Sequence, residues 1–178
     1  MIKWWQELIK KGSGECSKEE IGMVDVFKVV NWLRVKNNAD VRTNPNAEVL
    51  TQMKAMKLLY YFQAASLATT GKRLFNNRIV AWKYGPVIEA VHAKYAGQRE
   101  IVGKITAADL ADYRELQQDP QLRDLLNSVY DVYGHVSAID LMNQTHRERP
   151  WKETPQSGVI SDEAIRSYYQ GRFVLDEN

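Results

Sequence analysis

LTQMKAMKLLYYFQAASLATTG, residues 50–71, carries no charged side chain after Lys57 until Lys72. On a 3.6-residue spiral, Met53, Met56, Tyr60, Ala64 and Leu67 form one stripe and Leu58, Phe62, Ala65 and Thr69 another. A helix that is apolar on nearly every face is a buried helix. It is too short and too polar at its ends to cross a membrane, which takes roughly 20 apolar residues. The stretch therefore predicts the central helix of a globular domain, wrapped by amphipathic neighbours. Lys54 and Lys57 sit one turn apart near its start, and each must snorkel to solvent or meet an acidic partner. Gly71 suits the position just past its C-terminus.

Upstream, Val26, Val29, Val30 and Leu33, helped by Phe27, make the inward stripe of a helix over roughly 24–36. Asn37 to Glu48 reads as a polar loop closed by Pro45. Before these, Ile2, Trp5, Leu8 and Ile9 have helical spacing, and Gly12-Ser13-Gly14 breaks the chain. Residues 1–22 thus form an amphipathic extension and linker, and 23–178 one domain. The extension either docks on the body or acts as an arm for a partner.

Downstream, Arg78–Tyr84 is β-branched and aromatic and predicts a strand. Gly85-Pro86 is expected to stop it, with Pro86 opening a helix that carries Val87, Val91 and Tyr95. Glu100–Ile105 suggests a second short strand. Thr106-Ala107-Ala108-Asp109 is a capping-box pattern with Asp in the fourth place. Asp119-Pro120 is an N-cap and N1 pair ahead of Leu122, Leu125, Leu126, Val129 and Tyr133, with Gly134 at the end. Ser137–Asp140 starts another helix that runs to Thr145-His146 and stops before Pro150. Ser161-Asp162-Glu163 caps a last one ending at Gly171. The expected fold is mainly α, an α+β arrangement: a compact helical domain around one buried helix, with a small two- or three-stranded antiparallel sheet.

The chain has 178 residues, a net charge of +2 and one cysteine, Cys16. The length suits one domain with a sizeable core. A lone cysteine forms no internal disulfide and fits a reducing, cytoplasmic setting. The first residues lack the apolar core of a signal peptide. The near-neutral charge carries no strong nucleic-acid or membrane signal. Arg123 and Asn127, or Arg166 and Gln170, are all that any helix offers as a DNA-reading face. His92, His135 and His146 have no metal-ligand spacing, and Gly71-Lys72-Arg73 lacks the rest of a phosphate-binding loop. No catalytic site, metal or cofactor is expected. Trp82 and Tyr84 alternate around Lys83, and His146 precedes Pro150-Trp151. Aromatic clusters of this kind serve as core or as partner anchors.

Three blocks carry a resemblance. They are Met53–Gln63 with Leu67 and Gly71; Leu74-Phe75 followed by AWKYGPV, residues 81–87; and Val129–Gly134 with Ser137, Leu141 and THRERPW, residues 145–151, then Lys152. In this order and spacing the chain resembles the Panacea domain, the SocA-like antitoxin or phage-associated GepA-like family, over roughly 23–171. The resemblance implies a prokaryotic antitoxin of a toxin–antitoxin system that neutralises its cognate toxin by direct protein binding. One branch of the family hands its toxin to a Clp-type protease as an adaptor. On this basis the candidate partner-binding residues are Trp82, Lys83, Tyr84 and Pro86 from the first corner and Thr145, His146 and Trp151 from the late turn. The two groups are expected to meet in space. The rival readings are a DNA-binding repressor of its own operon and an enzyme using His146 as acid or base.

Overall fold

The structure is a computed structural model that describes residues 22–174; the predicted helix over residues 2–10 lies outside them. Its order is α1 (Val26–Thr43), α2 (Gln52–Thr70), β1 (Val80–Trp82), β2 (Gly85–Val87), α3 (Glu89–Lys94), α4 (Ala107–Gln118), α5 (Pro120–Tyr133), α6 (Ala138–Arg147), α7 (Arg149–Lys152) and α8 (Asp162–Val174). The fold is mainly α with one small antiparallel sheet.

Helix α2 is the axis. Every residue from Lys54 to Ala68 is buried, because α1, α5, α6, α8 and β2 all pack on it. The Thr51 hydroxyl caps its start by accepting from the Lys54 amide, and Gly71, at φ 71°, ends it in the left-handed conformation. Aromatic contacts tie the surrounding layer to this axis. Tyr61 stacks on Tyr133 of α5 at 4.0 Å, and Trp32 of α1 meets Phe62 edge-on at 6.0 Å.

The predicted N-caps hold. Thr106 and Asp109 form a reciprocal capping box, Asp119 caps α5 with Pro120 behind it, and Ser137 caps α6. Asp109 also takes the Arg34 guanidinium at 2.6 Å, which locks α4 onto α1.

Four expectations are corrected. Helix α1 does not end at Lys36 but runs on to Thr43. Asn37, expected in a loop, is buried inside it. Its side chain donates to the Glu48 carbonyl and accepts from the Leu50 amide, so a polar residue is satisfied in the interior. The last helix likewise continues past Gly171 to Val174. Third, Gly85-Pro86-Val87 is not a stop and a helix start but the second strand of a hairpin. Val80 pairs with Val87, Ala81 with Pro86 and Trp82 with Gly85. Proline is tolerated because the backbone of Ala81 faces away from it. The Ala81 amide donates to Gly158 and its carbonyl accepts from Ser157, so no ladder bond needs the missing proline N–H. Gly85, at φ 99°, supplies the left-handed residue after the Lys83-Tyr84 turn. Residues 157–160 run along the free side of β1, with a bridge from Val80 to Val159. Of the strand expected over residues 100–105, one bridge forms, between Glu100 and Thr51.

Candidate functional site

The hairpin and the late turn meet. The Trp151 indole Nε1 donates to the Trp82 carbonyl at 3.0 Å, joining residues 69 apart in sequence. The proline at the start of α7 ends the α6 direction and turns the chain, so that the His146 ring stacks on Trp151 at 4.0 Å. On the other side of β1, Trp82 meets the His92 ring edge-on at 4.9 Å. The His92 Nδ1 is in turn 3.1 Å from the Gln52 side-chain oxygen, which links this corner to the start of α2. His92 was not among the residues singled out in the sequence; nothing in its spacing marks it.

The seven candidates divide by exposure. Lys83 and Tyr84 form the tip of the hairpin and are exposed, Tyr84 to 58%. The Lys83 ammonium lies 5.4 Å from the centre of the Tyr84 ring, a cation–π contact at the surface. Trp82, His146 and Trp151 are half-buried. Pro86 and Thr145 are buried, and the Thr145 hydroxyl donates to the Met142 carbonyl one turn back.

Beneath this corner sits Lys57. It was expected to snorkel or to find a carboxylate, and it does neither. It is 1% exposed, and its Nζ donates to the Pro86 carbonyl at 3.1 Å. Among the described residues no carboxylate pairs with it. Burial pulls its pKa down to about 7. Gly85 lies directly over the ammonium: a Cβ there would stand 2.9 Å from Lys57 Nζ and 2.8 Å from the Thr145 hydroxyl. Burial first, and the Lys57 charge second, hold the His146 imidazole below its usual range. Its Nε2 is buried and has no hydrogen-bond partner among the described residues. One cation and one bare ring nitrogen therefore lie under the meeting point of the two blocks.

Other polar clusters are already engaged. Glu148, buried at the C-terminus of α6, accepts from the Tyr61 hydroxyl at 3.1 Å and from Tyr169 at 2.9 Å, clamping α8 to α2. A cavity of about 350 Å³ lies beside Asn37, Asp40, Glu48 and His135. There Asp40 holds the Tyr130 hydroxyl at 2.7 Å, and Glu48 holds Lys54 and the Ala138 amide. The side chains weighed for DNA contact are turned to their own chain: Arg123 pairs with Asp124, Asn127 bonds the Arg123 carbonyl and Arg166 lies 3.7 Å from Glu163. Among the described residues no group of histidine, cysteine and carboxylates has the arrangement of a metal site, and no helix is long and apolar enough to cross a membrane.

Residues 56–152 match the family described as antitoxin SocA-like, Panacea domain. The chain belongs to this Panacea domain family. The match is narrower than the span of resemblance read from the sequence, but it holds the hairpin, the late turn and Lys57 together. No curated protein and no solved structure gives a match. Family membership supports a general antitoxin role and suggests a non-enzymatic one.

Proposed function

We propose that this protein is a cytoplasmic antitoxin that neutralises a cognate toxin by binding it directly, and that the toxin docks on the corner built by the hairpin and the α6–α7 turn. The domain responsible spans residues 23–178, with 1–22 as an extension. The observation that carries the reading is the junction of two distant blocks, Trp82–Pro86 and Thr145–Trp151, through the Trp151–Trp82 hydrogen bond. This junction presents an aromatic and a cation at its tip, Tyr84 and Lys83, above half-buried tryptophans. Tyrosine and tryptophan are among the anchors that dominate binding energy at interface hot spots.

The test expresses the protein from its native flanking DNA and identifies what co-purifies by intact mass. A small partner that is toxic when expressed alone, held in fixed stoichiometry, is the expected result. Strict stoichiometric neutralisation separates this reading from an enzymatic one, in which substoichiometric protein would protect the cell. A chain that comes down alone, with harmless neighbours, overturns the proposal.

A further inference from the structure

The charges around the corner are sorted by sign. The late turn reads THRERPWKE, residues 145–153, with the cations Arg147, Arg149 and Lys152 and the carboxylates Glu148 and Glu153. Both carboxylates are taken up by the chain itself. Glu148 is buried and accepts from the Tyr61 and Tyr169 hydroxyls. Glu153 holds the Arg149 guanidinium at 2.8 Å. Arg147 and Lys152 stay exposed, and neither side chain has a hydrogen bond or ion pair among the described residues. The hairpin adds Lys83, exposed at the tip beside the Tyr84 ring. These three cations share one place. Lys83 follows Trp82 and Lys152 follows Trp151, the two residues joined by the indole–carbonyl hydrogen bond. Arg147 follows His146, whose ring stacks on Trp151. Glu89, the next carboxylate after the hairpin, lies beyond Val87 at its base, away from the tip. The whole chain carries only +2, so the excess of cations at the corner is local.

We propose that the corner is a cationic docking surface and that the partner protein meets it with an acidic face. Aspartate or glutamate side chains of the partner stand opposite Lys83, Arg147 and Lys152, around an apolar contact on Tyr84. The proposal rests on the toxin-binding reading given above and adds the chemistry of the partner. Charge complementarity selects this occupant. A second copy of the chain, docked about a two-fold axis, would set the same cations against themselves, and like charges juxtaposed across an interface are unfavourable. A nucleic-acid backbone calls for a basic stripe on a basic domain. Here three cations surround an aromatic tip on a near-neutral chain, the pattern of an anchor with a charged rim. Rim charges of this kind steer the encounter and fix its orientation, so they act mainly on the association rate and its salt dependence.

The test has two arms. The first needs no toxin: a poly-glutamate peptide is added to the full chain at low salt, and the backbone amide resonances are followed by NMR. Shifts gathered at Lys83, Tyr84, Arg147 and Lys152, and abolished in the double variant Lys83→Glu/Lys152→Glu, are the expected result. No shifts, or shifts spread over every exposed cation, overturn the proposal. The second arm measures the association rate with the co-purified toxic partner at low and high salt. At low salt the double variant is expected to associate about tenfold more slowly than the unmodified chain, with an unchanged melting temperature. The control, Lys104→Glu/Arg114→Glu, makes the same change in net charge at exposed residues on the α1–α4 side. Its rate is expected to stay within about twofold of the unmodified chain, because distant exposed charges are screened. Equal slowing by the two double variants overturns the proposal and leaves the toxin-binding reading intact. Tighter binding of random-sequence single-stranded DNA than of the toxic partner, lost in Lys83→Glu/Lys152→Glu, also overturns it. If the unmodified chain recovers no toxic partner, the toxin-binding reading falls, and the peptide arm alone decides whether the corner takes an acidic face.

Discussion

Lys54 and Lys57 lie one turn apart on the same helix, and both are buried, to 2% and 1% exposure. They have opposite fates. Lys54 reaches Glu48, which is half-open to water, at 3.3 Å. Lys57 points under the hairpin, where it finds a peptide carbonyl. The first is a structural ion pair at the rim of the core. The second is a charge held against desolvation beneath a corner where two distant blocks join. Such unfavourable placements concentrate at functional sites, which is why the corner, rather than the Lys54 end, is read as the place of business.

The comparison can be broken at several points, the largest effect first. Gly85→Ala puts a Cβ against the Lys57 side chain and the Thr145 hydroxyl, at a residue with φ 99°. Backbone strain and overpacking together are expected to remove about 3 kcal/mol of stability in chemical denaturation. Glu48→Ala gives Lys54 the condition of Lys57, a buried ammonium without a carboxylate. Its expected loss is about 1–3 kcal/mol, reduced by the exposure of Glu48. Lys57→Met has the opposite sign. Replacing a buried charge with an apolar side chain of similar size is expected to be neutral or to stabilise by about 1–2 kcal/mol. If Lys57→Met destabilises as much as Glu48→Ala, the two lysines do not differ in the way argued.

The pH dependence sharpens the same contrast. The native pKa of Lys57 is about 7, and its unfolded value is the ordinary 10.5. Between these limits the unfolded chain holds a proton that the native chain does not, so stability from this group rises with pH across that window. It is present in full above 10.5 and lost as pH falls through 7. The stability advantage of Lys57→Met over the unmodified chain is therefore expected to shrink and then reverse between pH 7 and pH 10, at up to ~1.4 kcal/mol per unit. A gap independent of pH would place a partner on Lys57.

The sequence made much of this legible because the signals were local. The apolar run of α2, its stop at Gly71, the caps at Asp119 and Ser137, and the Thr106–Asp109 box depend on residues close to each other along the chain. What was missed depends on contacts from afar. Pro86 sits in a strand because the Ala81 backbone bonds residues 157 and 158 on its other side. Asn37 extends α1 because Glu48 and Leu50 return to meet it. The meeting of Trp82 with Trp151 was anticipated from the blocks themselves. Lys57 was noticed as a cation in need of a partner, but its position under Gly85 follows from the hairpin's packing, which no periodicity encodes.

The corner's role as a docking surface is tested most directly at its exposed tip, where folding and binding separate. Tyr84→Ala removes a side chain that is 58% exposed, so its stability should stay within about 0.5 kcal/mol of the unmodified chain. The measurement is the affinity of this variant for the co-purified toxic partner, beside its melting temperature. The account predicts an unchanged melting temperature with binding weakened by roughly tenfold or more, as for an aromatic anchor. Unchanged melting temperature with unchanged affinity would contradict it and place the toxin elsewhere on the molecule.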